Sequence, residues 1–412
     1  MKIFNCDNCG NPVFFENVQC LNCGCRLAFL PDQLSMGALE PVEGETGVYR
    51  RLGAGHGADA PRYRMCHNHD EYQACNFSVE DDDPEALCMS CRQTRLLPDL
   101  SSPINRQRWY RIEVAKRRLF YTLARLGLAA TTTHGGSLRA PAPTYEFLED
   151  LPGKPPVMTG HNEGLITLNV IEADDDERVK RRVELHEPYR TLLGHLRHES
   201  GHYYWDRLIR EQNNVQSFRE VFGDESFDYQ EALRLHYARE HGDEWQQDFV
   251  SIYATAHPWE DWAETWAHYL HMVDLLETAA AYHTNVVVPG SAPLPEDGVT
   301  SPFKSAEVDF DDLVKQWIPV TLMLNSLNRS LGQDDAYPFA LSEGALRKLR
   351  FVHDIIHVCA DMPFVDGEED VARDNALPAD ASMEEQVEAG QDALRQGDQR
   401  VGTDQADEIA QA

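Results

Sequence analysis

The chain has 412 residues, 42% of them hydrophobic and 26% charged, and a formal net charge of −32. That length allows two or three domains with a real core, and no apolar run approaches the ~20 residues that span a bilayer. The acidic balance argues against nonspecific binding to nucleic acid or an anionic membrane, because phosphate attraction needs clustered Lys and Arg.

Nine of the ten cysteines precede residue 92, and clustered CxxC pairs point to metal in a reducing compartment rather than to disulfides. Cys6 and Cys9 are followed, ten residues on, by Cys20 and Cys23. Two thiolate knuckles at this spacing can close a tetrahedral Zn²⁺ site, and Gly10 and Gly24 suit the tight backbone that follows each knuckle. Residues 1–30 are therefore expected to form a zinc ribbon, with Cys25 as a spare thiol. The N-terminus lacks an apolar signal segment, so a cytoplasmic location is expected.

A second set comprises Cys66, Cys75, Cys88 and Cys91. Its last two members form a regular CxxC pair, and the first two do not. Four thiolates are the favoured ligands of a second structural zinc, with His67 or His69 able to replace one of them. Residues 31–60 are rich in Gly, Pro and Glu and read as loop or linker, so 31–100 is expected to be a second cysteine-rich module with its linker.

A helix is expected from Ile104 to Leu126, where Ile112, Leu119, Leu123 and Leu126 recur on one face and Gly127 ends the pattern. Its many Arg and Lys residues read as a solvated face near acidic surfaces rather than as a nucleic-acid contact. After a loop-like stretch at 128–143, strand-like segments at 157–159 and 165–170 flank a turn at Asn162–Gly164, a hairpin whose edge suits an extended peptide. Helices are expected over 178–213, 229–242, 244–255, 258–281, 309–331 and 342–359. Residues 283–308 read as a lid or a surface loop. The tail from Asp366 carries fourteen acidic residues against three arginines and no aromatics; it cannot offset its ordering entropy and is expected to be disordered, with partner binding as the minority reading.

The chemistry concentrates at His198-Glu199-Ser200-Gly201-His202. Residues i and i+4 share a helix face, so His198 and His202 can offer both imidazoles to one metal, with Glu199 as the base acting on a water. Farther on, Pro258 suits a first helical turn, and Glu260, Glu264, His268 and His271 then fall on one face beside Trp262 and Trp266. Ionisable groups on a face carrying tryptophans need partners or a metal.

His198-Glu199-x-x-His202 followed by Tyr253-x6-Glu260-x-x-Ala263-Glu264 resembles the metallopeptidases typified by anthrax lethal factor. The resemblance implies Glu260 as third zinc ligand, Glu264 as the carboxylate that orients a ligand histidine, and Tyr253 as donor to the oxyanion. On the residues alone, His268 or His271 could stabilise the oxyanion or complete the surrounding shell, and structural packing is as good a reading of each. The N-terminal ribbon, Gly194-His195-Leu196-Arg197-His198, Tyr203-Tyr204-Trp205-Asp206, Asn328-Arg329-Ser330-Leu331-Gly332 and Tyr337-Pro338-Phe339 resemble a bacterial family of zinc-binding metallopeptidases with an N-terminal zinc ribbon. Arg329 and Tyr337, in the late helical region, are candidate substrate contacts, with core or helix-end roles as the alternative. The resemblance implies an α+β fold: a mostly helical zincin-like peptidase domain at 101–363 with a small β-hairpin or sheet, preceded by small zinc-ribbon modules and followed by the acidic tail, 364–412. Together the cysteine sets and the His198–His202 site lead us to expect one catalytic and two structural zinc ions, and hydrolysis of peptide bonds in a protein or peptide. The alternative is a ribbon adaptor whose peptidase-like domain binds a partner without turnover.

Overall fold

The structure, a computed structural model, describes residues 2–53, 61–131, 142–184, 190–239, 242–289, 298–304 and 308–360; the acidic tail lies outside them. The architecture is α+β, with small sheets in the N-terminal half and helices in the C-terminal half.

Two short strands, β1 (Phe4–Asn5) and β2 (Pro12–Val13), pair antiparallel in the ribbon. A five-stranded antiparallel meander follows: β3 (Arg26–Leu30), β4 (Ser35–Pro41), β5 (Val48–Arg51), β6 (Arg62–Met65) and β7 (Ser78–Glu80). A bridge between Phe29 and Phe77 brings the last strand back beside the first. The expected linker at 31–60 is thus corrected: β4 and β5 lie within it. Met36, Ala38 and Leu39 bury there, and the Gly, Pro and Glu signal belongs to the β4–β5 turn. A single turn, α1 (His67–Asp70), begins just after Cys66.

The N-terminal half is seated on one long helix, α2 (Pro103–Arg125), which Ser102 caps and Pro103 starts. One side of α2 gives Phe120, Tyr121 and Ala124 to a core that contains the cysteines, Phe15, Phe29 and Phe77. Its other side gives Ile112, Leu119 and Leu123 to the main core of the helical half. The expected solvated basic face is only partly there. Lys116 and Arg117 are buried, and Lys116 pairs with Glu113 while Arg117 donates to the Ala74 carbonyl. Arg108 pairs with Asp174, and Arg118 with Glu16. These partners take up cationic groups that a nucleic acid would need.

A second sheet holds the strands β8 (Thr94–Leu96), β9 (Thr144–Leu148), β10 (Gly160–Asn162) and β11 (Leu165–Asn169) in the order β10-β11-β9-β8. β9 runs parallel to both its neighbours, and β10 forms an antiparallel hairpin with β11 on the outer edge. The expected hairpin is present, with its first strand slightly later in sequence. β9 went unread because Tyr145, Glu146, Phe147 and Leu148 are all buried, which removes the two-residue alternation.

The helices are α3 (Asp175–Glu184), α4 (Leu192–Trp205), α5 (Val215–Phe222), α6 (Tyr229–Ala238), α7 (Pro258–Ala281), α8 (Phe310–Ser330) and α9 (Glu343–Ala360). The single helix expected over 178–213 is divided: the Thr191 hydroxyl accepts from Gly194 N and starts α4 afresh, and a π-helical turn ends it at Asp206–Arg210. The helix expected at 244–255 is instead two short 3₁₀ turns, Asp243–Gln247 and Tyr253–Thr255. Of the expected lid, 290–297 and 305–307 lie outside the described residues, while Val286, Val299 and Phe303 pack on the main core. Among the described residues no helix is long and apolar enough to cross a membrane.

The seam that builds the site is α4 against α7. A Cβ on Gly201 would lie 2.9 Å from the Ala263 Cα, so only glycine permits this approach. Trp262 Nε1 donates to the Gly201 carbonyl at 2.8 Å, and Trp266 Nε1 to the Ser200 hydroxyl at 3.1 Å. The small pair inside the motif is therefore a helix-packing device.

Candidate metal centre

Three groups of ligand-type side chains converge among the described residues: Cys6, Cys9, Cys20 and Cys23; Cys66, Cys75, Cys88 and Cys91; and His198, His202 and Glu260. In the ribbon, Gly10 N donates to the Cys6 carbonyl and Gly24 N to the Cys20 carbonyl, and both glycines take positive φ, +71° and +74°. Each chain segment thereby folds back so that its two thiols face the other pair. Cys6 and Cys23 Sγ are 3.7 Å apart, as are Cys9 and Cys20, and Cys75 and Cys88 in the second cluster. Thiolates bound to Zn²⁺ at about 2.3 Å in a tetrahedron stand about 3.8 Å apart, whereas a disulfide needs about 2.0 Å. Both clusters thus have the spacing of a zinc tetrahedron. His69 does not join the second cluster: its Nδ1 meets the Cys75 carbonyl at 2.8 Å and its Nε2 faces Arg26.

The third group is built across the α4–α7 seam. Its ligand atoms form a triangle with His198 Nε2 and Glu260 Oε2 3.0 Å apart, His202 Nε2 and Glu260 Oε2 3.5 Å apart, and the two Nε2 atoms 3.2 Å apart. Nitrogen and oxygen ligands about 2.05 Å from a tetrahedral zinc are spaced about 3.3 Å apart. Glu260 is 1% exposed, and its Oε2 has no hydrogen-bond donor. An orphaned buried carboxylate oxygen facing two imidazole nitrogens fits a dication. Zinc therefore suits this donor set as well.

Each ligand is braced differently. His198 Nδ1 donates to Glu264 Oε1 at 2.7 Å, which leaves the Nε2 lone pair facing the triangle. Ser251 Oγ donates to the other Glu264 oxygen at 2.6 Å. Burial would raise the Glu264 carboxyl, but the hydrogen bond from His198 outweighs it and holds it at about 2. His202 instead packs against Trp259, with ring centroids 3.8 Å apart, and His161 of β10 lies 6.2 Å from both rings. Pro258 and the His257 side chain, which accepts from Trp259 N, start α7 one turn before the ligand.

Glu264 and Tyr253 stand beside this triangle, and Glu199 follows His198 on α4. Glu199 is nearly buried, and the Tyr253 ring lies 5.9 Å from that of His198. His268 is set apart: its Nδ1 meets the Tyr337 hydroxyl at 2.6 Å and its ring packs on Phe339. Burial pushes its pKa down to about 4. His271 faces Arg197, which also pairs with Asp274. Tyr337 is buried and held by Asn325 at both its backbone amide and its carbonyl, a packing position rather than an open contact. Arg329, 67% exposed at its side chain, pairs with Asp335 at the end of α8. Two residues of the site escaped the sequence reading, Ser251 and Tyr229, whose hydroxyl donates to Glu260 Oε1 at 2.6 Å. Neither stands at a spacing that announces a partner on α7.

With this geometry in view, comparison with known proteins adds the lineage. Residues 105–355 match the family described as "Putative zinc-binding metallo-peptidase", and residues 3–102 match a zinc-ribbon domain. Uncharacterized proteins of Mycobacterium tuberculosis and Mycobacterium bovis are each 38% identical over 362 residues, covering 86% of this chain and 95% of theirs. No solved structure matches the chain.

Proposed function

The chain belongs to the zinc-binding metallo-peptidase family, and from that premise we propose that it is a zinc-dependent peptidase hydrolysing peptide bonds of a protein or peptide. The observation that carries the proposal is the contrast in ligand number. Four thiolates close each cysteine site, but among the described residues only His198, His202 and Glu260 meet at the third. Three protein ligands and an open fourth position are the mark of a catalytic rather than a structural zinc.

Zinc bound there would supply a Lewis acid that lowers the pKa of a water and polarises the scissile carbonyl. Glu199 follows a ligand histidine on α4 and accepts the proton of the attacking water, then returns it to the departing amine. Tyr253, held in its 3₁₀ turn with Ala254 N bonded to Ser251 Oγ, donates to the carbonyl oxygen as negative charge develops. Burial and the nearby Glu260 carboxylate raise the pKa of its hydroxyl, which keeps it a donor. The edge strand β10 lies beside α4 and offers unpaired backbone groups to an extended peptide. Two reduced cysteine sites suit a reducing compartment, and we place the protein in the cytoplasm.

The test pairs metal analysis with cleavage of a peptide library. The purified chain should hold three zinc ions, and Glu199→Gln should keep all three while cleavage falls by about 10²–10⁴-fold. Undiminished cleavage by Glu199→Gln would remove Glu199 from the chemistry. Cleavage absent from the wild type itself, with zinc in place, would favour a silent, partner-binding domain.

A further inference from the structure

Glu260 has two oxygens, and the fold treats them differently. Oε2 faces His198 and His202 and lacks a hydrogen-bond donor, while Oε1 takes the Tyr229 hydroxyl at 2.6 Å. Tyr229 is the first residue of α6, a helix whose start is fixed by Asp228, with Oδ1 accepting from Glu231 N at 2.7 Å. Its ring stands edge-on to His257 at 5.4 Å and to Trp259 at 5.8 Å, at the start of α7. Tyr253 is a near neighbour of Tyr229, and each affects the ionisation of the other.

A carboxylate can meet a metal through one oxygen or both, and a committed donor on the second oxygen decides between them. If both Glu260 oxygens turned inward, the second would occupy the space left for water or substrate. We propose that Tyr229 is the positioning residue that holds Glu260 as a one-oxygen ligand and so keeps the fourth corner of the site open. This inference rests on the zinc-site reading above, not on which peptide is cleaved. Tyr229 touches neither substrate nor reacting atoms in this role. It acts through Glu260, from a helix that contributes no ligand of its own.

The test uses the full-length, zinc-loaded protein and a chelator titration that follows release of the ions. Tyr229→Phe keeps the ring between His257 and Trp259 and removes only the hydroxyl. It should weaken the third site by about 10–100-fold, the usual cost of losing a partner behind a ligand, with the two cysteine sites unchanged. Tyr253→Phe removes no bond to Glu260 and should leave zinc affinity within about threefold of wild type. Thermal unfolding of the zinc-free third site should be the same for wild type and Tyr229→Phe, which a role limited to packing would not explain beside a loss of affinity. Wild-type affinity in Tyr229→Phe overturns the proposal. So does equal loss in both variants with an equal fall in thermal stability. A wild-type chain that holds only two zinc ions would instead bring down the metal reading on which the proposal stands.

Discussion

The two cysteine sites and the His198–His202–Glu260 centre use the same tetrahedral spacing but reach it by different routes. In the ribbon, every ligand comes from one short stretch, and two backbone turns at Gly10 and Gly24 aim the thiols. In the third site, two ligands lie on α4 and one on α7, and their meeting depends on how closely those helices pack. The cysteine sites carry their own geometry and spend four ligands on closure. The third site borrows its geometry from the main core and leaves a position free. The comparison predicts that metal and fold are coupled tightly in the N-terminal half and loosely at the α4–α7 seam.

The largest effect should follow Cys75→Ser. Cys75 is buried in the core that also holds Phe77, Phe120 and Tyr121, and Arg117 ties the neighbouring Ala74 carbonyl to α2. Structural zinc contributes about 10–16 kcal/mol to folding in small zinc-binding peptides, more than most domains have in total. Loss of one thiolate should therefore release that zinc and melt the N-terminal half, seen as one fewer zinc per chain and an early unfolding step in calorimetry. A Cys75→Ser protein that drops its zinc and still unfolds as the wild type does would break the comparison.

A smaller effect, confined to metal, is expected on α7. Glu260→Ala removes a ligand and should empty the third site in a chelator titration while the cysteine sites stay filled. Glu264→Ala removes only the acceptor behind His198 Nδ1 and should weaken the same site by about 10–100-fold. Both proteins should keep the wild-type circular dichroism spectrum. The reverse order of zinc loss would move the ligand role from Glu260 to Glu264.

The same contrast explains what could be read from the sequence. CxxC knuckles and His198/His202 are encoded within a turn or two of backbone, so spacing alone indicates them. Glu260 and Glu264 are legible at one remove, since Pro258 and a helical period place them on a common face. Tyr229 and Ser251 are not legible, because what matters is where α6 and the turn before α7 settle against Glu260 and Glu264. The strands show the same divide. The β10–β11 hairpin is announced by its turn, but β9 pairs in parallel with segments far away and is buried on both faces. Arg329 and Tyr337 stand in stretches that resemble the family, and the structure gives them to an ion pair and to core packing.

Gly201→Ala tests the seam itself, and its net effect should be the smallest of the three. In an isolated helix the change would stabilise by about 1 kcal/mol, since glycine is a poor helix former. Here the new Cβ would sit 2.9 Å from the Ala263 Cα and 3.3 Å from its Cβ. The nearer atom is backbone, which cannot swing aside as a side-chain end would. Overpacking of this kind costs about 1–3 kcal/mol, so the two terms partly cancel and a net loss of up to about 2 kcal/mol remains. The fold should survive, with a modest fall in the unfolding midpoint. Zinc at the third site should fall out of proportion to that change, because separating α4 from α7 moves Glu260 away from both histidines at once. Cysteine-site zinc should be untouched. If stability drops but third-site zinc does not, the ligand triangle does not depend on the helix approach, and the distinction between a self-contained site and a borrowed one fails.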